Sequence, residues 1–418
     1  MPLTIARRVA SLQPSVTIAF NNRANAMKKQ GIDVLGFAAG EPDFQTPAVI
    51  KQAAIDALNA GQTKYMPTLG DMDTRAVIAE KFTRENHLPN VTAEHVGVSA
   101  GGKHALFVIC HCLFDFPEPG QLAQEILIPV PAWVSYDPIS RLAGAKVVEI
   151  PTTAANAFKM SPAQLKAAIT PNSRLLVLNS SSNPCGTMYS PDELRAIAKV
   201  VDEASSTIAP NLLVLSDEIY EKIIYGGIEH FSIGSIPAIA ERTITLNGMS
   251  KAYAMTGWRI GYTAASGEFG LKFMKSFANY QGQITTNITS FVYPAIRAGL
   301  EHCAGDIEQM RQAFAERGES IFGLLSKMPK LHTVKPTGAF YAFPDVSAYF
   351  GTRSPKGATI NSAMEFCEAL LAEKFVALVP GEDFGGCAKN HVRISFACSQ
   401  EQIKKGMERV GEFLGGLR

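Results

Sequence analysis

Lys251 and Arg259 stand eight residues apart in the stretch TITLNGMSKAYAMTGWRIGY, and both are residue types that can take part in chemistry. The stretch begins as a β-rich run at Thr243–Leu246 and then breaks into polar residues and glycine at Asn247–Gly248. The lysine therefore follows the predicted end of a buried strand, where a long amine side chain could hold a carbonyl cofactor as a Schiff base. An ordinary loop lysine is the alternative, and the residues that accompany Lys251 decide between the two.

Polar side chains also follow the two preceding strands. After Leu175–Leu178 comes NSSSNPCG, which contains Asn183, and after Leu212–Leu215 comes SDEIYE, which contains Asp217 and Tyr220. A lone aspartate at a strand end is usually a turn or cap residue. Three consecutive strand ends that supply Asn, then Asp-x-x-Tyr, then Ser-Lys are harder to explain in that way. These side chains are therefore candidates for one site.

A fourth predicted strand, HVGVS, runs into Ala-Gly-Gly-Lys, which contains Gly101, Gly102 and Lys103 and opens a helix. Glycines and backbone N–H groups at a helix N-terminus bind anions such as phosphate. The letters GVSAGGK also match the start of a nucleotide phosphate loop, but His104 stands where a Ser or Thr would bind magnesium. This absence weakens the alternative of a nucleoside triphosphatase.

These strand ends together match what pyridoxal 5′-phosphate requires of a protein. If Lys251 carries it, Asp217 would keep the ring nitrogen protonated, which makes the ring an electron sink. Asn183 and Tyr220 would donate to the phenolic oxygen, and Lys251, once displaced by a substrate amine, could move the α-proton as general base and acid. The phosphate would be bound by Gly101, Gly102, the Lys103 N–H and Arg259, and the ring face would stack on Trp133.

Two further candidates stand outside these strand ends. Arg393 interrupts an apolar run, Val-Arg-Ile-Ser-Phe, so it either points to solvent or reaches a buried anion. A bidentate arginine is the natural clamp for an α-carboxylate. Tyr65 lies in a glycine-bounded loop, GQTKYMPTLG, where an aromatic that covers apolar surface is the alternative.

The elements that must position these residues follow an α/β pattern. From residue 95, short strands that are apolar on both faces alternate with helices, which indicates a mostly parallel sheet covered on both sides. In such sheets ligands collect at the carboxyl ends of the strands. Long helices follow residue 265, and a smaller α+β unit with short strands at Leu331–Lys335 and Ala339–Phe343 closes the chain.

The composition of the chain indicates which classes of binding partner to expect. The 418 residues carry 39 Lys+Arg against 38 Asp+Glu, which favours no nucleic acid or anionic membrane as a partner. The seven cysteines form no CxxC pair, as expected in a reducing compartment and without a metal site. No apolar run reaches the roughly 20 residues of a membrane span, and none follows the basic Arg7–Arg8 as a signal sequence requires. We therefore expect a cytoplasmic protein with small-molecule partners.

Seven motifs in order along the chain resemble the class I aminotransferases of PLP fold type I: GEPDFQTP, TKYMPTLG, NPCGTMY, SDEIYE, NGMSKAYAMTGWRIGY, PTGAFYAF and HVRISFA. The resemblance runs from about Pro14 to the C-terminus. The resemblance implies a large domain with a mostly parallel sheet at 49–328, plus a smaller α+β domain. Residues 1–48 are expected to form an N-terminal arm and part of the smaller domain, and residues 329–418 the remainder of that domain.

The same resemblance assigns roles to the candidate residues. Lys251 becomes the Schiff-base lysine, Asp217 the partner of the ring nitrogen, and Arg259 the phosphate arginine. Gly40 and Arg393 match positions that hold the substrate α-carboxylate, and Tyr220 and Asn183 match ligands of the phenolic oxygen. Tyr65 is similar to a tyrosine that reaches the phosphate of the neighbouring subunit, which implies a homodimer.

The segments QPSVTIAF and GGKHAL resemble the aspartate/prephenate aminotransferase branch. In that branch a lysine like Lys103 and a threonine like Thr17 read the distal carboxylate, although Lys103 could instead act through its backbone alone. An unpaired buried carboxylate is costly, so a cation there favours a dicarboxylic substrate. We expect ping-pong transfer from aspartate to 2-oxoglutarate. The alternatives are an aromatic, alanine or kynurenine-type aminotransferase and a C–S or γ-elimination lyase.

A ligand-sensing transcription regulator is the alternative from another class, but family-like sequence begins within the first twenty residues, so we expect no preceding DNA-binding domain. The sequence also departs from the family pattern. Cys185 replaces the usual threonine of Asn-Pro-Thr-Gly, and Gly248 stands where some members have a phosphate-binding serine, with Ser250 as a candidate substitute. FPEPGQLAQE and GCAKNH are also atypical, which affects the substrate preference more than the core chemistry.

Overall fold

The structure is a computed structural model that describes residues 3–14 and 16–418. The α-helices of the described residues are, in chain order, α1 (Arg7–Ala10), α2 (Val16–Lys29), α3 (Ala48–Asn59), α4 (Met72–Glu85), α5 (Gly102–Leu113), α6 (Tyr136–Leu142), α7 (Pro162–Ala168), α8 (Pro191–Ser205), α9 (Gly267–Gly282), α10 (Tyr293–His302), α11 (Ala304–Leu325), α12 (Ala363–Lys374) and α13 (Gln400–Gly416). The strands are β1 (Leu35–Gly36), β2 (Val96–Ser99), β3 (Glu125–Val130), β4 (Lys146–Pro151), β5 (Ser173–Asn179), β6 (Leu213–Asp217), β7 (Thr243–Gly248), β8 (Gly261–Ala265), β9 (Tyr341–Ala342), β10 (Thr352–Arg353), β11 (Thr359–Ile360), β12 (Val376–Ala377), β13 (Val379–Pro380) and β14 (Val392–Ser395).

The largest sheet formed by these residues has seven strands in the order β2-β8-β7-β6-β5-β3-β4. Strands β7, β6, β5, β3 and β4 are mutually parallel, as the sequence pattern predicts, and the consecutive strands β5, β6 and β7 are neighbours. Their carboxyl ends therefore meet at one edge of the sheet. Asp217 and the residues that follow Asn179 and Gly248 lie at that edge.

Strand β8 is the exception, because it runs antiparallel between β2 and β7. Strand β8 is not predicted from the sequence, since GYTAA combines Tyr262 and Thr263 with a glycine and two alanines and is not the uninterrupted apolar run of the central strands. Gly261 allows β8 to pass the end of β2, because a Cβ there would lie 2.5 Å from the carbonyl carbon of Gly101. The turn that leads into β8 carries Arg259 to the same edge of the sheet.

Both faces of the sheet are buried. In β5, Leu175 and Val177 pack into a core that includes residues of α5 and α9, while Leu176 and Leu178 pack into a second core that includes residues of α8. Successive strand residues point to opposite faces, so a strand buried on both sides must be apolar throughout. This is the physical reason for the continuous run RLLVL in the sequence.

A further core joins the two ends of the chain. Strand β1 pairs in parallel with β12, and residues of α2, including Phe20, pack in one cluster with residues of α11, α12 and α13. In the same region β14 pairs antiparallel with β13 and β9, which brings Arg393 beside Tyr341. The domain boundaries given above stay a prediction.

Two local expectations differ from the structure. The segment Leu331–Lys335 forms only an isolated bridge at His332 rather than a strand. The long helices expected after residue 265, of which the sequence pattern predicts the second near 285–300, are less continuous than expected: α10 begins only at Tyr293, after a 3₁₀ turn at Ser290–Val292, and Pro294 occupies its first turn, where proline is tolerated. No helix within residues 3–14 or 16–418 is long and apolar enough to cross a membrane.

Candidate functional site

A cleft of about 1010 Å³ opens at the carboxyl ends of β5, β6 and β7. It is bordered by α1, α2, the segment after β1 and the C-terminal unit. The cleft is lined by twelve of the residues singled out from the sequence, namely Thr17, Gly40, Gly102, Lys103, Trp133, Asn183, Asp217, Tyr220, Ser250, Lys251, Arg259 and Arg393. Side chains that are far apart in the chain thus face one space.

Lys251 follows β7, and its ammonium group is directed into the cleft. Nζ donates a hydrogen bond to the carbonyl oxygen of Gly40 and lies 5.8 Å from the ring centroids of both Tyr220 and Phe340. Burial, together with the nearby charge of Arg393, lowers the pKa of Lys251 to about 8. An amine with a depressed pKa is available as a nucleophile near neutral pH, so the loop-lysine alternative is the weaker one.

Asp217 ends β6 and is 4% exposed. Its Oδ2 accepts a hydrogen bond of 2.6 Å from the hydroxyl of Tyr136, and its Oδ1 accepts one from the backbone N–H of Ile219. Burial raises the pKa of Asp217 to about 6 despite these bonds. A carboxylate in such a place favours a cationic partner, because the pairing offsets the cost of burying its charge.

Arg393 is buried, with only 3% exposed, so the solvent-facing alternative is wrong. Its Nη1 donates to Asn183 Oδ1 at 3.0 Å and its Nη2 donates to the carbonyl oxygen of Ala38 at 2.7 Å. Its Nε has no hydrogen-bond partner, and no carboxylate forms an ion pair with it, among the residues described here. A buried, uncompensated guanidinium that lines a cleft is suited to an anionic ligand.

A positively charged corner forms where β2 meets α5. Gly101, at the N-terminal end of α5, has a φ of +91°, and a Cβ on it would lie 2.4 Å from Arg259 Nη2. Arg259 also has a left-handed backbone, with φ of +57°, and its Nη1 donates to the carbonyl oxygen of Thr256 at 2.8 Å. Burial and the charge of Arg259 lower the pKa of Lys103. The free N–H groups of a helix start together with two cations can bind a phosphate.

Three predicted residues lie at the margins of this arrangement. Trp133 packs edge-on against Tyr136, with 5.3 Å between ring centroids. The hydroxyl of Thr17 is buried and has no partner within the described ranges. Tyr65 is 87% exposed and is not one of the residues that line this cleft.

Two tyrosines of the cleft were not identified from the sequence. Tyr136, the partner of Asp217, stands three residues after Trp133, and the segment PAWVSY carries no local sign that its last residue turns toward a strand end. Tyr341 belongs to the motif PTGAFYAF, and its hydroxyl lies 2.8 Å from that of Tyr220. Both residues become recognisable only when elements distant in the chain are brought together.

Comparison with known proteins gives a consistent result. Residues 32–410 match the family described as aminotransferase class I and II. The chain is 41% identical over 416 residues to an aspartate aminotransferase of Geobacillus stearothermophilus, covering 99% of each chain. It is 38% identical over 413 residues to a probable aspartate/prephenate aminotransferase of Aquifex aeolicus, covering 98% of each. A structure of the aspartate aminotransferase from Thermus thermophilus with maleate is similar with a TM-score of 0.88 and 37% identity, over 99% of this chain and 100% of that one.

Proposed function

This chain belongs to the aminotransferase class I and II family, and on that premise we propose that it uses pyridoxal 5′-phosphate to move an amino group from aspartate to a 2-oxo acid such as 2-oxoglutarate. The family match confirms the aminotransferase prediction, and the likeness to the Thermus thermophilus structure confirms the predicted fold class. The observation that carries the proposal is the cleft itself, in which Lys251, Asp217 and Arg393 converge from β7, β6 and β14.

The chain offers a contact for each part of the cofactor. Lys251 would hold it covalently, Asp217 would pair with the ring nitrogen, and Asn183 and Tyr220 would bind the phenolic oxygen. The corner at Gly101 supports the fit, because any larger residue there would fill the space of the cradle. The phosphate would lie against Gly101 and contact the N–H groups of Gly102 and Lys103 as well as Arg259 and Ser250, and the ring would lie against Trp133.

Pyridoxal phosphate would supply an electron sink that stabilises negative charge at the substrate Cα. The protein's own part is to place a base there. With a pKa of about 8, Lys251 can both accept and return a proton near neutral pH. Its hydrogen bond to the Gly40 carbonyl holds the amine over the cleft. Lys251 is therefore the group that we expect to take a proton from one carbon and deliver it to another.

The substrate would be held at both ends. Arg393 presents a buried fork to the α-carboxylate, and the neighbouring side chain of Asn183 keeps the fork in position. Lys103 and Thr17 would read the distal carboxylate, and the unpartnered hydroxyl of Thr17 supports this part of the proposal. The Thermus thermophilus relative was solved with maleate, which is a dicarboxylate, and the Geobacillus stearothermophilus relative is named for aspartate. Both point to a dicarboxylic substrate.

We further propose that the active unit is a cytoplasmic homodimer in which Tyr65 contacts the phosphate of the neighbouring subunit. An aromatic side chain that is 87% exposed is consistent with a surface covered by a second copy. Mixing Tyr65→Ala and Lys251→Ala variants tests this, because hybrid dimers would have one site with both substitutions and one with neither. Recovered activity in the mixture is expected, and a mixture as inactive as its components would contradict the shared site.

The decisive test is a titration of the cofactor-loaded protein with a panel of amino donors. Aspartate should convert the absorbance of the bound cofactor most efficiently, and 2-oxoglutarate should reverse the change. Lys103→Ala should reduce the conversion by aspartate more than the conversion by alanine or phenylalanine, because only the distal carboxylate of aspartate loses a charge-assisted hydrogen bond. Fastest turnover with aromatic donors would favour an aromatic aminotransferase, and release of an elimination product would favour a lyase. A protein that stays colourless with pyridoxal phosphate would overturn the proposal, as would retained turnover in Lys251→Ala.

A further inference from the structure

Tyr341 is a buried tyrosine that none of the assignments above uses. It lies in β9 with only 1% of its surface exposed, and its hydroxyl is 2.8 Å from the hydroxyl of Tyr220. The two rings meet nearly at right angles, with 5.9 Å between their centroids. A pair of phenols in hydrogen-bond contact is therefore buried at the wall of the cleft.

The position of Tyr341 is fixed by two other members of the site. The guanidinium of Arg393 lies 4.8 Å from the centroid of the Tyr341 ring, within the range of a cation–π contact. On the other side, a Cβ on Gly40 would lie 2.9 Å from the Tyr341 hydroxyl oxygen. The absence of a side chain at Gly40 thus leaves room for this hydroxyl, and a change at Tyr341 reaches the site through contacts that are already in place.

The hydroxyl protons of Tyr220 and Tyr341 limit which hydrogen bonds this pair can form. A phenol carries one hydrogen that it can donate, and its oxygen can accept from another donor. Burial raises the pKa values of both Tyr220 and Tyr341, so both hydroxyls keep their proton near neutral pH. If Tyr220 donated to Tyr341, it would have no proton left for a ligand. If Tyr341 donates instead, the proton of Tyr220 is free to point into the cleft.

We infer that Tyr341 is a positioning residue whose hydroxyl donates to that of Tyr220 and so directs the Tyr220 proton toward the phenolic oxygen of the bound cofactor. This inference rests on the proposed function. Donation to an anionic oxygen stabilises the form in which that oxygen is charged. A better-oriented Tyr220 therefore lowers the pH midpoint of the colour change of the loaded protein.

The test is a pH titration of the visible absorbance of the cofactor-loaded protein without substrate. Tyr220→Phe should raise the midpoint, and Tyr341→Phe should raise it in the same direction by about 0.5–1 pH unit, the size expected for losing one neutral hydrogen bond. The double variant should titrate like Tyr220→Phe alone, because Tyr341 acts only through Tyr220. Tyr349→Phe is the matched control, since its buried hydroxyl bonds the Pro329 carbonyl outside the cleft. Its midpoint should equal that of the parent.

A nearly isosteric change at Tyr341 should shift the midpoint in the opposite direction, and it keeps the test valid if Tyr341→Phe does not fold. Tyr341→3-fluorotyrosine, which makes the phenol a stronger donor, should lower the midpoint. An unchanged midpoint in both Tyr341 variants would overturn the inference, and so would shifts that simply add in the double variant. Failure of the proposed function is distinguishable, because no coloured complex would then form. If colour forms and only Tyr220→Phe shifts it, the inference about Tyr341 alone is wrong.

Discussion

Replacing Gly101 by alanine tests the phosphate corner directly. The backbone of Gly101 has a φ of +91°, which a side chain disfavours, and the added Cβ would lie 2.4 Å from Arg259 Nη2. Carbon and nitrogen in van der Waals contact lie about 3.5 Å apart, so the guanidinium must retreat by about 1 Å. That displacement takes Arg259 out of hydrogen-bond range of a phosphate held at the start of α5.

The size of the effect follows from the contact that is lost. A hydrogen bond to a charged group contributes about 1.5–3 kcal/mol, which corresponds to a loss of affinity of about 10- to 150-fold. The positive φ adds a separate destabilisation of the folded state of about 1–3 kcal/mol. Gly31→Ala serves as the control for this strain, because Gly31 has a φ of +82° and no heavy atom of the described chain within 4 Å of its would-be Cβ.

The assay is a titration of the cofactor-free protein with pyridoxamine 5′-phosphate, which cannot bond covalently to Lys251 and so reports the non-covalent contacts. Gly101→Ala should bind it about 10- to 150-fold more weakly, whereas Gly31→Ala should lose stability but bind like the parent. In an Arg259→Ala background the Gly101 substitution should cost little further affinity, since the clash is gone. Parent-like binding by Gly101→Ala would refute the assigned cradle.

Three further outcomes are expected. The side chain of Lys81 is 1% exposed and is paired with Glu221. Lys81→Met should lower the free energy of unfolding by about 3–5 kcal/mol in chemical denaturation, because Glu218 and Glu221 then stay buried with too little positive charge beside them. A loss under about 1 kcal/mol would contradict this. Burial lowers the pKa of His230, but its hydrogen bond with Glu218 and the negative charges of Glu218 and Glu221 together outweigh burial and raise the pKa above the ordinary 6.5. The stability deficit of His230→Gln relative to the parent should therefore be largest below pH 6.5 and shrink as pH rises through the raised value, and a deficit that grows with pH would reverse the assignment. Arg393→Lys, which loses the two-pronged fork, should raise KM for amino donors by about 10- to 100-fold with a smaller change in kcat, as checked by steady-state kinetics; an unchanged KM would argue against the carboxylate clamp.

Much of the site could be predicted because its residues follow strands that the sequence marks clearly. The runs Leu175–Leu178 and Leu212–Leu215 are apolar without interruption, as a strand buried on both faces requires, and Thr243–Leu246 is rich in β-branched residues. Their parallel order places Asn183, Asp217 and Lys251 at one edge of the sheet by the geometry of such sheets alone. The anion site proposed at the start of α5 is equally local, since it needs only glycines and a helix N-terminus.

Other features depend on packing between distant segments. Whether Arg393 faced solvent or a buried anion could not be decided from its own strand, because the answer depends on which side of β14 is covered by the rest of the protein. Strand β8 escaped prediction for a similar reason. Its place depends on β2 and β7, which pair with it on both sides, and on Phe82, which packs against Tyr262.

The sequence by itself determined the family and the aminotransferase chemistry, and it predicted most residues of the proposed site, because these are written in short motifs with local physical causes. Only the tertiary structure decided the environment of those residues. Burial sets the pKa of Asp217 near 6 and that of Lys251 near 8, and contacts across the fold place Tyr136 beside Asp217 and Tyr341 beside Tyr220. Desolvation and hydrogen bonding depend on everything that surrounds a side chain, and a sequence names only the residues adjacent in the chain.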